Sequence, residues 1–484
     1  MQININVSPG YDNRVHEIFR LFFPRAKVVC GQEDGDLHGN LTVKECPDFW
    51  ELQAVLTGCF EGRRQGVVCS GESKAEVKRE LLRLTYLLLE QVTSYTPNPY
   101  GILTGVRPTK LVHGFLDRGW SWARIEEELL DKYLVRPEKA DLLIDVALRD
   151  RPYLLKSPDT GRNIGVYIGI PYCPSRCHYC SFPGYSLGHH PGVAQFLEGL
   201  IYELNRVGQE LQDAGITVEY IYIGGGTPTV LTLDEWRQLL VPVRRFYLSQ
   251  ATREFTVEAG RPDTFNYEIL CFLVENGANR ICVNPQTMND STLEMIGRPH
   301  TRAMTIEAFQ KARQAGFRNI NMDLIAGLPG EGPEEFENSL KELLQLAPEG
   351  ITIHHLARKR GSAWNEQDPF ITERQPVGEA IVGNAYQHLI AAGYLPYYLY
   401  RQKRIAGNQE NIGFALPGFF GEYNIQVIEE RQTIIGLGGG SATKFVDYND
   451  GSISTHHHPQ DPATYLSNLE SLIKGQVDKL RGLP

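Results

Sequence analysis

The sequence predicts an α/β protein, and three observations carry that prediction. Between 161 and 370, six strand-like segments each precede a helix-like one. Short loops bearing glycine and proline separate them, as β/α repeats require. The first of those loops holds Cys173, Cys177 and Cys180, so reactive side chains fall where the strands of such a sheet present ligands. Six repeats in one direction imply a parallel sheet, either open or curled into a partial barrel. The expected layout is an N-terminal α/β domain over 1–95, a helical connecting region over 96–160, the repeat core over 161–370 and a C-terminal α+β domain over 371–484.

The elements follow in order. "QININV" and "NLTVKE" alternate as strands do. "SKAEVKRELLRLTYLLLEQV" is helical, because Val77, Leu81, Leu84, Leu88 and Val92 share one face. "TPNPYGILTGVRPTKL" is a punctuated connection, in which Arg107 and Lys110 either cap a helix or hold an anion. "SWARIEEELLDKYL" and "PEKADLLIDVALRD" read as helices. The core strands are "NIGVYIGI", "TVEYIYI", "EFTVEA", "NRICVN", "NINMDLI" and "GITIHHL". Beyond 371 come the helix "PVGEAIVGNAYQHLIAAG", the tyrosine-rich "YLPYYLYRQKR" and the glycine-rich "IIGLGGGSATKFV". His456, His457 and His458 precede Pro459 in what reads as a polar loop.

Composition narrows the functional classes. The 484 residues carry a net charge of −10, whereas a nucleic-acid footprint is basic, so nucleic acid is not expected as a partner. The start "MQININVSPGYD" lacks a basic stretch followed by an apolar run, and the longest apolar run is too short to span a bilayer. A cytoplasmic protein with no membrane span is expected. Nine cysteines, an odd number, argue against a disulfide framework. Cys30, Cys46, Cys59, Cys69, Cys271 and Cys282 stand far apart and are expected as buried free thiols; only the trio has ligand spacing.

The trio fits three irons of a [4Fe–4S] cluster through thiolates, where a fully protein-held cluster takes four. With no fourth cysteine nearby, one iron lacks a protein ligand and is open to a small molecule. Structural zinc wants four protein ligands in a closed site. His178 completes such a set on paper, but it lies between Cys177 and Cys180, and adjacent residues in so tight a loop rarely reach the same ion.

Other strand ends carry matching chemistry. "GGGTP" (224–228) ends the second strand, where glycine lets backbone approach a ligand. Glu258 ends the third, Gln286 follows the fourth with Arg298 twelve residues on, Asp323 sits near the end of the fifth and Ala357 follows the sixth. Each alone reads as a surface or capping residue. Together they offer an acid for an ammonium group, an arginine for a carboxylate and an acid for ribose hydroxyls.

With "YIGIPYCPSRCHYC", "GGGTPT", "VEAGRPD", "NRICVNPQT" and "NMDLIAGLPG" in place, the chain resembles the radical S-adenosylmethionine enzymes, and within them the oxygen-independent coproporphyrinogen III oxidase (coproporphyrinogen dehydrogenase) family. "NPYGILTGVRPTKLVH", "PYYLYRQKRIAGNQENIG" and "IIGLGGGSATKF" resemble its HemZ-like branch, extending the likeness over most of the chain. The resemblance implies a partial (β/α)6 TIM-like barrel and a [4Fe–4S] cluster on Cys173, Cys177 and Cys180. It implies one or two molecules of S-adenosylmethionine (SAM), whose cleavage gives a 5′-deoxyadenosyl radical. The implied reaction converts coproporphyrinogen III propionates to vinyl groups, giving protoporphyrinogen IX in haem biosynthesis. Tyr167, Gly225 and Glu258 match contacts to the cluster-bound SAM. Tyr179, Gly226, Thr227, Gln286, Arg298 and Asp323 match contacts to a second, Ala357 offers backbone to an adenine, and Ala442 is a further match. The implied partners are a tetrapyrrole substrate and a reducing electron donor such as flavodoxin or ferredoxin.

Two positions depart from the established oxidases: Phe182 stands where they have a further, non-ligating cysteine, and Gly169 where they have histidine. Both bear on substrate rather than on cluster assembly. They leave room for two alternatives, a haem-carrying chaperone on the same fold and another radical enzyme acting on haem. A substrate with four propionates needs a basic pocket, for which Lys359, Arg360, Arg401, Lys403 and Arg404 are the candidates.

Overall fold

The computed structural model describes residues 1–11, 14–31, 34–69, 72–154, 162–182, 184–357, 362, 364, 378–403 and 405–482. They form two compact units, Met1–Ala147 with Gly407–Gln409, and Leu148–Ala406 with Glu410–Pro484.

The first unit is built on a five-stranded sheet. Its strands are β1 (Gln2–Val7), β2 (Lys27–Cys30), β3 (Leu37–Glu45), β4 (Phe49–Gly58) and β5 (Gly62–Cys69), in the order β2-β1-β3-β4-β5. Helices α1 (Val15–Phe22) and α2 (Lys74–Thr93) supply the apolar cover. In α2, Val77, Leu81, Leu84 and Leu88 are buried with Ile3, Ile5, Leu41 and Leu52, and Val92 packs at the margin, which is the face that the spacing predicts. Ser73 and Glu76 close a reciprocal capping box at the start of α2, satisfying amide donors that the helix cannot. The helices α3 (Thr109–Asp117), α4 (Trp122–Asp131) and α5 (Pro137–Asp150) follow.

The second unit carries β6 (Asn163–Ile170), β9 (Thr217–Gly225), β10 (Glu254–Glu258), β11 (Arg280–Cys282), β12 (Asn319–Ala326) and β13 (Gly350–His355). These are the six expected strands, adjacent in that order and all parallel. They are buried at nearly every position rather than at alternate ones, as strands of a sheet covered on both faces are: β6 sinks Ile164, Val166, Ile168 and Ile170. Helix α6 (Val193–Asp213), after the cysteine loop, buries Phe196, Leu200, Leu204, Val207 and Leu211 at helical spacing.

The described residues beyond 371 build no sheet of their own. β14 (Leu395–Tyr400) and β15 (Asn411–Ala415) add antiparallel to the β13 edge. β16 (Ile434–Gly438) joins the β6 edge in parallel, followed by β17 (Ala442–Val446) and β18 (Ile453–His457). The result is one eleven-stranded sheet. Open edges of a parallel sheet expose unpaired backbone groups, and the C-terminal strands cover both.

Two sequence expectations need correction. Among the scattered cysteines only Cys282 is buried; Cys30, Cys59 and Cys69 are exposed, and Cys46 and Cys271 are half-buried. Cys30 and Cys69 end the two edge strands of the first sheet, where side chains meet water. The histidine run is not a polar loop either: His456 and His457 end β18, and His458 is fully buried beside Glu203. No helix among the described residues is long and apolar enough to cross a membrane.

Candidate cofactor site

The cysteine loop leaves the carboxyl end of β6. Tyr172 and Cys173 form the short strand β7, paired with β8 (Tyr185–Ser186), which ties the two ends of the loop together. The "GGGTP" turn at the end of β9 anchors it from below: the Gly226 amide donates to the Ile170 carbonyl at 2.8 Å, and the Thr227 amide to the Tyr172 carbonyl at 2.8 Å. Gly226 must be glycine here. A Cβ at this position would stand 2.5 Å from the Tyr172 carbonyl oxygen and 2.9 Å from Cys173 Sγ.

Cys177 is buried and Cys173 and Cys180 are half-buried, and three thiols on one loop suit a cluster that keeps one iron open. Thr227 Oγ1 donates to Cys173 Sγ at 3.4 Å. Burial pushes the Cys173 thiol up to about 11, the Thr227 bond opposes that, and the neighbouring Cys180 and Cys177 add to it. Buried thiols in this state ionise by exchanging the proton for a metal. His178 is committed elsewhere: its amide donates to the Ile296 carbonyl at 3.0 Å, Nδ1 lies 3.0 Å from the Met295 carbonyl, and the ring packs near Trp364.

Beside the loop stands an aromatic wall. Tyr167 stacks on Tyr222 at 6.1 Å, and Tyr222 on Tyr423 at 4.5 Å. Tyr222 donates to Glu258 Oε1 at 2.6 Å. Burial pushes the Glu258 carboxyl up to about 7; the Tyr222 bond lowers it and Asp323 raises it. A buried acid without a cation is costly when charged, so this position fits an incoming ammonium group. Gly225 ends β9 next to it.

A second set lines the later strands. Gln286 takes a left-handed backbone, φ 72°, because its amide bonds the Asp323 carbonyl at 2.9 Å and its carbonyl receives the Ile325 amide at 2.9 Å. Asp323 lies inside β12 rather than at its end; Asn321 Nδ2 donates to it at 2.7 Å, and His354 Nε2 lies 3.5 Å from it. Arg298 donates to Tyr179 Oη at 3.0 Å, to the Asn284 carbonyl at 2.7 Å and to the Gly260 carbonyl. Tyr179 also packs with Leu293, Ile296 and Leu356. Arg298 Nε and Asn284 Oδ1 are buried with no protein partner among the described residues. Such atoms await a ligand.

Ala357 follows β13 and bridges to Ile405. Ala442 opens β17 and packs its backbone on Gly436, which is the strand partner of Tyr167. Arg401 is buried after β14 and Lys403 is exposed; Lys359, Arg360 and Arg404 lie outside the described residues. The sequence reading gave no role to Tyr222, His354 or Arg261. Arg261 sits in the quoted "VEAGRPD", but only the fold reveals that it bonds Ser175 of the cysteine loop.

A model of the Radical SAM superfamily matches residues 167–343. The oxygen-independent coproporphyrinogen-III oxidase-like protein HemZ of Bacillus subtilis (strain 168) is 39% identical over 484 residues, covering 97% of this chain and 96% of that protein. Heme chaperone HemW of Escherichia coli (strain K12) is 28% identical, covering 64% of this chain and 77% of that protein. The solved coproporphyrinogen III oxidase (HemN) from Escherichia coli, described as a radical SAM enzyme, superposes with a TM-score of 0.50 at 21% identity, over 67% of this chain and 72% of that one. That last likeness is one of fold.

Proposed function

The chain belongs to the radical SAM superfamily, among the HemZ-like coproporphyrinogen oxidase-like proteins, and on that premise we propose that it catalyses oxygen-independent oxidative decarboxylation of coproporphyrinogen III to protoporphyrinogen IX. The observation that carries this reading is the full-length match: the oxidase-like relative aligns over 97% of the chain at 39% identity.

Membership in the superfamily implies a [4Fe–4S] cluster and SAM, which, given one electron from a donor, would supply a 5′-deoxyadenosyl radical for hydrogen abstraction. Cys173, Cys177 and Cys180 hold the cluster, and Thr227 donates to the first sulfur. Glu258 receives the SAM ammonium, with Gly225 and Tyr167 beside it. Tyr179, Gly226, Thr227, Gln286, Arg298 and Asp323 form the surroundings of a second SAM, and the Ala357 and Ala442 backbones complete the cofactor contacts. The stacked Tyr167, Tyr222 and Tyr423 exclude water from the reacting centre. A flavodoxin or ferredoxin is the proposed electron source.

Anaerobic incubation with coproporphyrinogen III, SAM and a reductant should yield protoporphyrinogen IX, carbon dioxide and 5′-deoxyadenosine. SAM cleavage with an unchanged tetrapyrrole overturns the substrate assignment. Cys177→Ala should abolish both the visible absorbance of the cluster and SAM cleavage.

A second reading is a haem-carrying chaperone. Its support is the 38% identity to heme chaperone HemW of Bacillus subtilis over 192 residues, together with Gly169 and Phe182. Stoichiometric haem binding and transfer without tetrapyrrole turnover would favour it.

A further inference from the structure

Two buried guanidiniums grip the cysteine loop, one on each inter-cysteine segment. Arg261, 3% exposed, donates from Nη1 to Ser175 Oγ at 2.6 Å and to the Ser175 carbonyl at 3.2 Å. Ser175 lies between Cys173 and Cys177. Arg298, 5% exposed, holds Tyr179 between Cys177 and Cys180. The two arms are joined, since Arg298 Nη2 donates to the carbonyl of Gly260, the residue before Arg261.

The charges do not cancel. Asp263 pairs with Arg261 through a fork, Nε to Oδ1 at 3.0 Å and Nη2 to Oδ2 at 2.6 Å, which orients the guanidinium and frees Nη1 for the loop. Among the described residues, Arg298 bonds a phenol and two carbonyls and no carboxylate. His300 beside them stays neutral: burial and then Arg298 push its imidazole down to about 3. Two guanidiniums against one carboxylate leave a positive charge within the loop's supports. It lies close to the ligands, because Arg261 bonds Ser175, two residues from both Cys173 and Cys177.

We infer that Arg261 is a positioning residue of the cluster loop, which holds Ser175 in place before any cluster is bound and raises the reduction potential of the bound cluster. The inference rests on the proposed cluster at Cys173, Cys177 and Cys180. A cluster held by thiolates gains one negative charge when it accepts an electron, and a buried cation nearby favours that state. Lysine keeps the charge without the fork, and glutamine, shorter and neutral, keeps neither. The two substitutions therefore separate field from geometry.

The experiment uses the full chain in two forms. In the reconstituted holoprotein, one-electron redox titration followed by electron paramagnetic resonance reads the potential. Arg261→Gln should shift it negative by about tenfold in the reduction equilibrium, about 59 mV, while Arg261→Lys stays near the wild-type value. In the metal-free chain, hydrogen exchange at the amides of 175–177 should accelerate about tenfold in both variants. Ser175→Ala, which keeps the Arg261–Asp263 pair, should accelerate loop exchange and leave the potential unchanged, so the claim survives a variant that fails to fold. An Arg261→Gln holoprotein with wild-type potential overturns the inference alone. A wild-type chain that takes up no cluster overturns it together with the reading on which it rests.

Discussion

Gly169 of β6 lies beneath the carbonyl of Gly439: a Cβ at Gly169 would stand 2.9 Å from that oxygen and 3.3 Å from Tyr167 Cε1. Gly439 follows β16, which pairs with β6 in parallel register. A side chain as large as histidine lacks room at this position, because the glycine-rich edge strand occupies the space. Gly169→Ala should cost about 1–3 kcal/mol by forcing the two strands apart, and Gly169→His more, read as a lowered denaturation midpoint. Installing that histidine should not improve tetrapyrrole turnover. An unchanged midpoint for Gly169→His would mean that the strands part freely.

Glu258 makes the metal-free chain pH-sensitive in a definite direction. Its carboxyl ionises near 4.5 when unfolded and is pushed up by burial to about 7 when folded. Between those values the folded state binds more protons, so stability falls as pH rises, by on the order of 3 kcal/mol at pH 8. Glu258→Gln should remove that slope and stabilise the metal-free chain above pH 7. An ammonium ligand restores the charged form, so SAM binding near pH 6 should release a proton, measurable by calorimetry in buffers of different ionisation enthalpy. SAM affinity should fall about tenfold to a hundredfold in the variant, the worth of a charge-assisted hydrogen bond. A pH profile identical to wild type would show that the carboxyl is not held up by burial.

Much of this was legible in the sequence because the period of burial is written there. β6 and β9 are largely apolar runs, and the α2 stripe from Val77 to Leu88 follows helical spacing. The cysteine loop and Glu258 were legible because their spacing after strands is local. What depends on tertiary pairing was not. The sequence does not mark β4 or the edge strand β5; β5 alternates half-buried and exposed positions without a strong apolar face. The sequence likewise hides that β16 runs beside β6, which alone explains Gly169. Arg261 and Ser175 lie 86 positions apart, and no local pattern links an arginine to a loop at that distance.

The fully buried pair Glu203 and His458 should be a large stability determinant. Glu203 Oε2 accepts from the Gly438 amide at 2.8 Å and from Tyr465 Oη at 2.6 Å, and Oε1 lies 2.8 Å from His458 Nε2. His458 Nδ1 in turn lies 3.1 Å from Ser441 Oγ. These bonds fix the Gly438–Ser441 turn that presses on Gly169. Glu203→Ala strands a buried imidazole, an amide and a phenol, and should cost about 3–5 kcal/mol. Chemical denaturation measures it. A loss under 1 kcal/mol would mean that water replaces the carboxylate.

Phe182 separates cluster assembly from substrate binding. It stands two residues after Cys180 and is 55% exposed, unusual for a large apolar side chain beside a buried site. A non-ligating, exposed ring at this position offers apolar surface to a flat macrocycle rather than support to the cluster. Phe182→Ala should therefore leave the cluster absorbance and the SAM affinity at wild-type levels. Tetrapyrrole binding should weaken by about tenfold to a hundredfold, the value of burying one phenyl ring at about 1.5–3 kcal/mol. Fluorescence titration with coproporphyrin III and with haem in parallel would show which macrocycle depends on the ring. Loss of cluster absorbance in Phe182→Ala would place the residue in the cluster's own envelope and end this assignment.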